Sequence, residues 1–280
     1  MIRLIASDLD GTLFHSDRSL GKAQVEAVRR TLDAGMVFVA ATGRSYEAAC
    51  RLVRSQIPEA VLLTLDGAQV WEGDRLVIQH MLSGVDCEKI YEVLRDFPVH
   101  VKFNGPLDCY MVGEPDEVKE NIRKFIRDLR QCDDAAVDED TYFQDLMAGL
   151  HVVKSPADIP GAGKVFCFTN ETEKIEEMVR ALKNRTDFHV VSSGPENFEV
   201  TVREASKGPV LKAYADSLGI APDQVQVFGD SLNDLSMMEQ GFHSMAVGNA
   251  HPRIREAADE VGPSNDEDGV AWKIQQILKG

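Results

Sequence analysis

The sequence predicts an α/β fold: a doubly wound, mostly parallel sheet with an α+β segment inserted in its middle. Three observations predict it. Short, almost continuously apolar runs alternate with helix-period segments at both ends of the chain. That alternation is lost between about residues 83 and 197. Acids and a Thr-Gly pair stand where the apolar runs of the outer thirds stop. A strand covered on both faces needs apolar residues on both, so it reads as a continuous run and not as an alternating one. The expected domains are a core of residues 1–82 and 198–280 and an insert of residues 83–197.

The elements follow in order. "IRLIAS" (2–7) reads as the first buried strand. A helix is expected over 22–34, with Val25, Val28 and Leu32 on one face and Gly35 as its stop. "MVFVAAT" (36–42) is the second strand, "SYEAACRLVRS" (45–55) a helix and "AVLLT" (60–64) the third strand. Right-handed crossovers between them make the sheet parallel. Residues 68–80 hold two alternating runs joined by Gly73-Asp74, a hairpin signal. The insert reads as a helix near 86–97, strands near 99–104 and 108–112, and a helix near 116–131. An acidic loop at 132–140 follows, then strands near 150–154 and 164–169, a helix near 171–185, and strands near 188–192 and 198–202. Parallel-sheet order resumes with a helix over 208–218, the strand "VQVFGD" (225–230), a helix over 231–240, the strand "SMAVG" (244–248) and two terminal helices.

Composition narrows the function. The 280 residues carry a formal charge of −16, a field that repels nucleic acid and anionic membrane. The same field repels phosphate esters, so a phosphate site must supply its own cations. No apolar run reaches the ~18 residues of a membrane span. "MIRLIASDLD" meets acids too early for a signal peptide, and a cytoplasmic protein is expected. The five cysteines are scattered without a C-x-x-C, which argues against disulfides and zinc.

In parallel α/β sheets, ligands bind beyond the carboxyl ends of the strands. The first strand ends in Asp8-Leu9-Asp10-Gly11-Thr12, the second in Thr42-Gly43-Arg44-Ser45, and a later one in Gly229-Asp230-Ser231-Leu232-Asn233-Asp234. Lys207 precedes the helix that feeds that later strand. Four carboxylates converging on one edge repel one another unless a cation sits among them, and Lys207 alone cannot balance Asp8, Asp10, Asp230 and Asp234. Oxygen ligands without a nearby His or Cys favour Mg²⁺ over zinc. With a lysine, a hydroxyl and turn amides, such an ion makes a phosphate site. A carboxylate there can attack phosphorus, and a second one two residues on can protonate the leaving oxygen.

"DLDGT", "ATGRS", Lys207 and "GDSLND" resemble, in order, the four motifs of the haloacid dehalogenase-like phosphatases. The ending "SNDEDGVAWKIQQIL" and the length of the insert are similar to the Cof-type subgroup with its α/β cap. The resemblance implies a Rossmann-like core with a cap. It implies Asp8 as nucleophile and Asp10 as general acid and base. It implies Mg²⁺ held by Asp8, the Asp10 carbonyl and Asp230, with Asp234 supporting it through water, and Thr42, Gly43, Lys207 and Asn233 gripping phosphate. Related caps often join the core through Asn-Gly where this chain has Asp66-Gly67, and Asp66 would repel an anionic substrate.

The leading expectation is a Mg²⁺-dependent phosphatase of small phosphorylated metabolites, with sugar phosphates ahead of pyridoxal phosphate or flavin mononucleotide. A phosphotransferase such as a phosphohexomutase and a non-enzymatic phospho-aspartate signalling module are the alternatives, the second disfavoured by so large an insert. Single residues also have simpler readings. Asp10-Gly11 alone is a turn, Arg44 is as well suited to a structural ion pair as to substrate, and "GAGK" (161–164) lacks the remainder of a phosphate loop.

Overall fold

The computed structural model describes residues 1–132, 143–144, 146–185 and 188–279. The chain forms two compact units, Met1–His80 with Glu204–Gly280, and Met81–Arg203. In chain order the first unit begins with β1 (Leu4–Ser7), β2 (Val37–Ala41), β3 (Val61–Thr64), β4 (Gln69–Glu72) and β5 (Arg75–Gln79). The second contributes β6 (Leu82–Ser83), β7 (His100–Asn104), β8 (Cys109–Val112), β9 (Leu150–Val153), β10 (Gly161–Ala162), β11 (Lys164–Phe168), β12 (His189–Gly194) and β13 (Asn197–Thr201). The first unit is completed by β14 (Val225–Gly229), β15 (His243–Ala246) and β16 (Glu260–Val261).

The first unit's sheet has the order β16-β15-β14-β1-β2-β3-β4-β5. The strands from β16 to β3 run parallel, and the hairpin β4–β5 adds two antiparallel strands at one edge. All of β1, β3 and β14 is buried, which is why those segments read as unbroken apolar runs. The expected doubly wound sheet is present. Helix Lys22–Asp33 buries Gln24, Ala27, Val28 and Thr31 and packs on helix Gly269–Ile277. It stops at Gly35, whose φ of 77° permits the left-handed turn. The helices expected over 45–55 and 231–240 are each shorter. Tyr46–Ala49 runs into a wider turn through Arg54, and Leu235–Met238 is a single turn. Short β16 was not expected.

The second unit holds a six-stranded sheet, β12-β13-β11-β7-β8-β9, antiparallel except for the β8–β9 pair. Alternation along β11 sends Val165 and Cys167 to one face and Phe166 and Phe168 to the other. The first face packs on Ile90 of helix Gly84–Leu94 and on Met178 and Leu182 of helix Ile175–Arg185. The second packs on Ile122, Phe125 and Ile126 of helix Pro115–Cys132. The acidic stretch after Cys132 lies outside the described residues. The boundary between the units differs from the expected one. β13 pairs with β11 and β12, so residues 198–203 go with the second unit and not with the core, as do residues 81–82.

Candidate active site

The site is built by the carboxyl ends of β1, β2, β3 and β14, and every residue in it belongs to the first unit. After β1 the chain makes a wide turn, with Leu13 N donating to Asp8 O at 3.2 Å and Phe14 N to Leu9 O at 2.8 Å. Gly11 sits at φ 78°, and a Cβ on it would lie 2.7 Å from Asp230 Oδ2, so the first acidic turn can approach the last one only with glycine here. Thr12 Oγ1 donates to Asp230 Oδ1 at 2.8 Å across that approach.

Lys207 is fully buried at the start of helix Lys207–Ser217. Its Nζ donates to Asp8 Oδ1 at 2.6 Å and to Asp234 Oδ1 at 2.7 Å. The other oxygen of Asp234 accepts from the backbone amides of Asp230 and Ser231, both at 3.0 Å. Asp234 thus braces the loop after β14 while it anchors the lysine. Ser231 Oγ donates to Asp230 Oδ2 at 3.0 Å. Burial would pull Lys207 down, but the carboxylates of Asp234 and Asp8 push it well above an ordinary lysine, and it stays an ammonium. Burial and the charge of Asp234 push Asp8 well above the usual carboxylate range, against the pull of Lys207. Burial and Asp234 push Asp230 up as well.

Those upward shifts describe a charge imbalance. Asp8, Asp230 and Asp234 each present an oxygen within 4.8 Å of the others, and they face one ammonium. Two negative charges lack a counterion among the described residues. A divalent ion matches that deficit, and an all-oxygen donor set suits a hard cation. The residues present therefore fit Mg²⁺.

The structure brings together three of the four expected acids. The Asp10 carboxylate stands outside the cluster and is gripped by Arg44, Nε to Oδ2 at 2.7 Å and a terminal nitrogen to Oδ1 at 2.6 Å. Arg44 therefore supplies the countercharge that the sequence reading lacked for Asp10. Thr42 is buried, and its Oγ1 accepts from Arg44 N at 3.1 Å. Gly43 lies between them.

Asn233 Nδ2 donates to Asp66 Oδ1 at 2.9 Å, while Asn233 Oδ1 is buried without a partner. Asp66 lies in a turn, Leu65–Gly67, whose three residues all have positive φ (51°, 56° and 102°). For a non-glycine residue this costs about 1–2 kcal/mol, and such strain gathers at sites of function. The turn is pinned by Leu65 N to Arg44 O at 3.0 Å and Asp66 N to Thr42 O at 3.1 Å. The sequence marks Asp66 only as a residue that would repel an anionic substrate, where related caps often have Asn. Sequence reasoning missed Asn249, whose Nδ2 donates to Gly11 O at 2.8 Å, and His251, whose amide donates to Asp230 O at 2.8 Å. Neither sits in a readable motif.

The model of the haloacid dehalogenase-like hydrolase family matches residues 5–274. The chain belongs to that family. This member of the haloacid dehalogenase-like hydrolases is 27% identical to a 5-amino-6-(5-phospho-D-ribitylamino)uracil phosphatase, YwtE, of Bacillus subtilis, over 100% of this chain and 99% of that one. It is also 27% identical to the phosphatase YwpJ of the same organism, over 99% and 100%. A solved haloacid dehalogenase-like hydrolase from B. subtilis superposes with a TM-score of 0.81 at 27% identity, covering 99% of this chain and 100% of its own. The expectation of a hydrolytic enzyme of this family is met.

Proposed function

We propose that this hydrolase is a Mg²⁺-dependent phosphatase of small phosphorylated metabolites, working through an aspartyl-phosphate on Asp8. The observation that carries the reading is Lys207, fully buried yet bonded to both Asp8 and Asp234 beside Asp230. A buried ammonium among three acids is costly unless the charge has work to do.

Bound Mg²⁺ would neutralise charge gathering on the phosphoryl oxygens. The chain's own residues do the rest. One oxygen of Asp8 attacks phosphorus as the ester O–P bond breaks, and Lys207 fixes the attacking carboxylate. Asp10 gives a proton to the departing alkoxide, then takes one from the water that cleaves the acyl phosphate. Each Asp10 oxygen accepts one bond from Arg44 and keeps a second lone pair for the proton it transfers. Thr42, Gly43, Lys207 and Asn233 hold the phosphate.

Sugar or polyol phosphates are the proposed substrates. The relative YwtE is named for a phosphorylated ribityl compound, which supports that class. The charge of −16 speaks against nucleic acid. No helix among the described residues is long and apolar enough to cross a membrane. The thiols of Cys50, Cys87 and Cys167 are free, which suits the cytoplasm.

The test is phosphate release over a broad panel of phosphorylated metabolites, with Mg²⁺ and with chelator, for the wild type and Asp8→Asn. Turnover by the wild type in Mg²⁺ alone, with ³²P trapped on Asp8, supports the reading. Turnover by Asp8→Asn, or transfer to a second sugar in place of release, overturns it.

A further inference from the structure

The turn Leu65–Gly67 touches three of the segments that form the site. Its amides bind the carbonyls of Thr42 and Arg44. A Cβ on Gly67 would lie 2.7 Å from the backbone of Ser206, so the turn presses against the residue before Lys207. Asp66 reaches the third segment, after β14, through its side-chain bond to Asn233. Asp66 itself is 7% exposed.

From this geometry we infer that Asp66 is a positioning residue with two opposed effects: it aims the Asn233 amide at the phosphate, and its charge limits how tightly the phosphate is held. The inference rests on the phosphatase reading. A carboxylate can only accept, so it admits only the nitrogen of Asn233 on its side, and the flipped amide would set two acceptors 2.9 Å apart. The orientation leaves Asn233 Oδ1 buried without a partner, so the amide's own hydrogen bonding would not select it. It persists because Asp66 imposes it. One N–H of Asn233 is committed to Asp66, and the second is left for a phosphate oxygen.

Charge acts in the other direction. The negative charge of Asp66 is felt at Lys207, where it adds to those of Asp234 and Asp8. A phosphate dianion drawn in by Lys207 therefore meets an additional carboxylate. That repulsion favours release of inorganic phosphate once the acyl phosphate is cleaved.

Two substitutions separate the effects. Asp66→Asn keeps an acceptor for Asn233 and removes the charge, and Asn tolerates positive φ. Asp66→Gly removes both, and glycine relieves the backbone. Inorganic phosphate is titrated calorimetrically into each protein in the presence of Mg²⁺, with thermal melts to confirm folding. Asp66→Asn should bind phosphate about three- to tenfold more tightly than the wild type, the scale of one screened charge. Asp66→Gly should bind about tenfold more weakly than Asp66→Asn, the scale of losing a charge-assisted anchor. Product inhibition by phosphate should follow the same order, with kcat changing less than the inhibition constant. Phosphate binding by Asp66→Asn that is no tighter than wild type, or equal binding by the two variants, overturns the inference alone. A wild type that neither binds phosphate nor hydrolyses p-nitrophenyl phosphate overturns the phosphatase reading and this inference with it.

Discussion

Arg44 grips both oxygens of Asp10, and the pair is partly exposed, 22% on the arginine side chain and 45% on the aspartate. Pairs in such a setting contribute little to stability, about 0–1 kcal/mol. Arg44→Ala should therefore leave the thermal midpoint almost unchanged. Its effect should appear in turnover. A large loss of stability in Arg44→Ala would make the pair a structural brace and not a holder for the acid.

Asp8 and Asp10 are inequivalent in the proposed chemistry. Asp8→Asn should be inactive with every ester. Asp10→Asn should lose roughly 10²–10⁴-fold on an alkyl phosphate such as a hexose 6-phosphate, because the leaving alkoxide needs a proton. With p-nitrophenyl phosphate the first step needs no acid, while cleavage of the phosphoenzyme still lacks its base. Rapid mixing should then show a burst of nitrophenolate close to the enzyme concentration, followed by slow turnover. Equal losses on both esters without a burst would remove Asp10 from the acid–base role.

Lys207 has no exposed surface and holds two carboxylates. Lys207→Met leaves Asp8 and Asp234 facing each other without their cation. Unfolding in urea should show a loss of roughly 3–5 kcal/mol, the scale of breaking a buried pair on one side. Among molecules that stay folded, kcat should fall at least ~10²-fold, the scale of losing one preorganised electrostatic partner. An altered KM with unchanged kcat would confine Lys207 to substrate binding.

Chelator should abolish turnover, and Mg²⁺ should restore it. A metal that binds only the folded chain also stabilises it, by about 2.7 kcal/mol at a hundred times its dissociation constant. Mg²⁺ should therefore raise the thermal midpoint of the wild type, and Asp230→Ala should lose most of that rise. Ca²⁺ should bind and raise the midpoint without supporting turnover, because its larger and more flexible shell would hold Asp8 less well placed for attack. Full activity in chelator, or in Ca²⁺ alone, would end the Mg²⁺ assignment.

The acid cluster also sets a pH dependence for the metal-free protein. Folding raises Asp8 and Asp230 above their usual value of 3.8, so the folded chain holds protons that the unfolded chain has released. The stability these groups contribute is fully present below pH 3.8 and is lost as pH rises through their folded values. In chelator, the wild type should lose stability relative to Asp8→Asn as pH climbs above the ordinary carboxylate range. Saturating Mg²⁺ should suppress the difference. Parallel melting curves for the two proteins across that range in chelator would contradict the charge imbalance.

The sequence by itself determined the fold class, and it pointed to the strand ends and the helix start where Asp8, Asp10, Thr42, Lys207, Asp230 and Asp234 stand. These were legible because doubly buried strands leave unbroken apolar runs, and because the chemistry clusters in short contiguous stretches at their ends. Tertiary structure alone decided what those groups do to one another. Arg44 reaches Asp10 across 34 positions, and Asn233 reaches Asp66 across 167. Asn249 braces Gly11 across 238. No periodicity records such pairs, because they depend on which strands lie side by side in the sheet. The same cause moved the boundary of the second unit, since β13 looks like any short strand until its partners β11 and β12 claim it. Only the folded chain withdraws Asp10 from the acid cluster and leaves three carboxylates around one buried ammonium, because Arg44 lies close enough to take it.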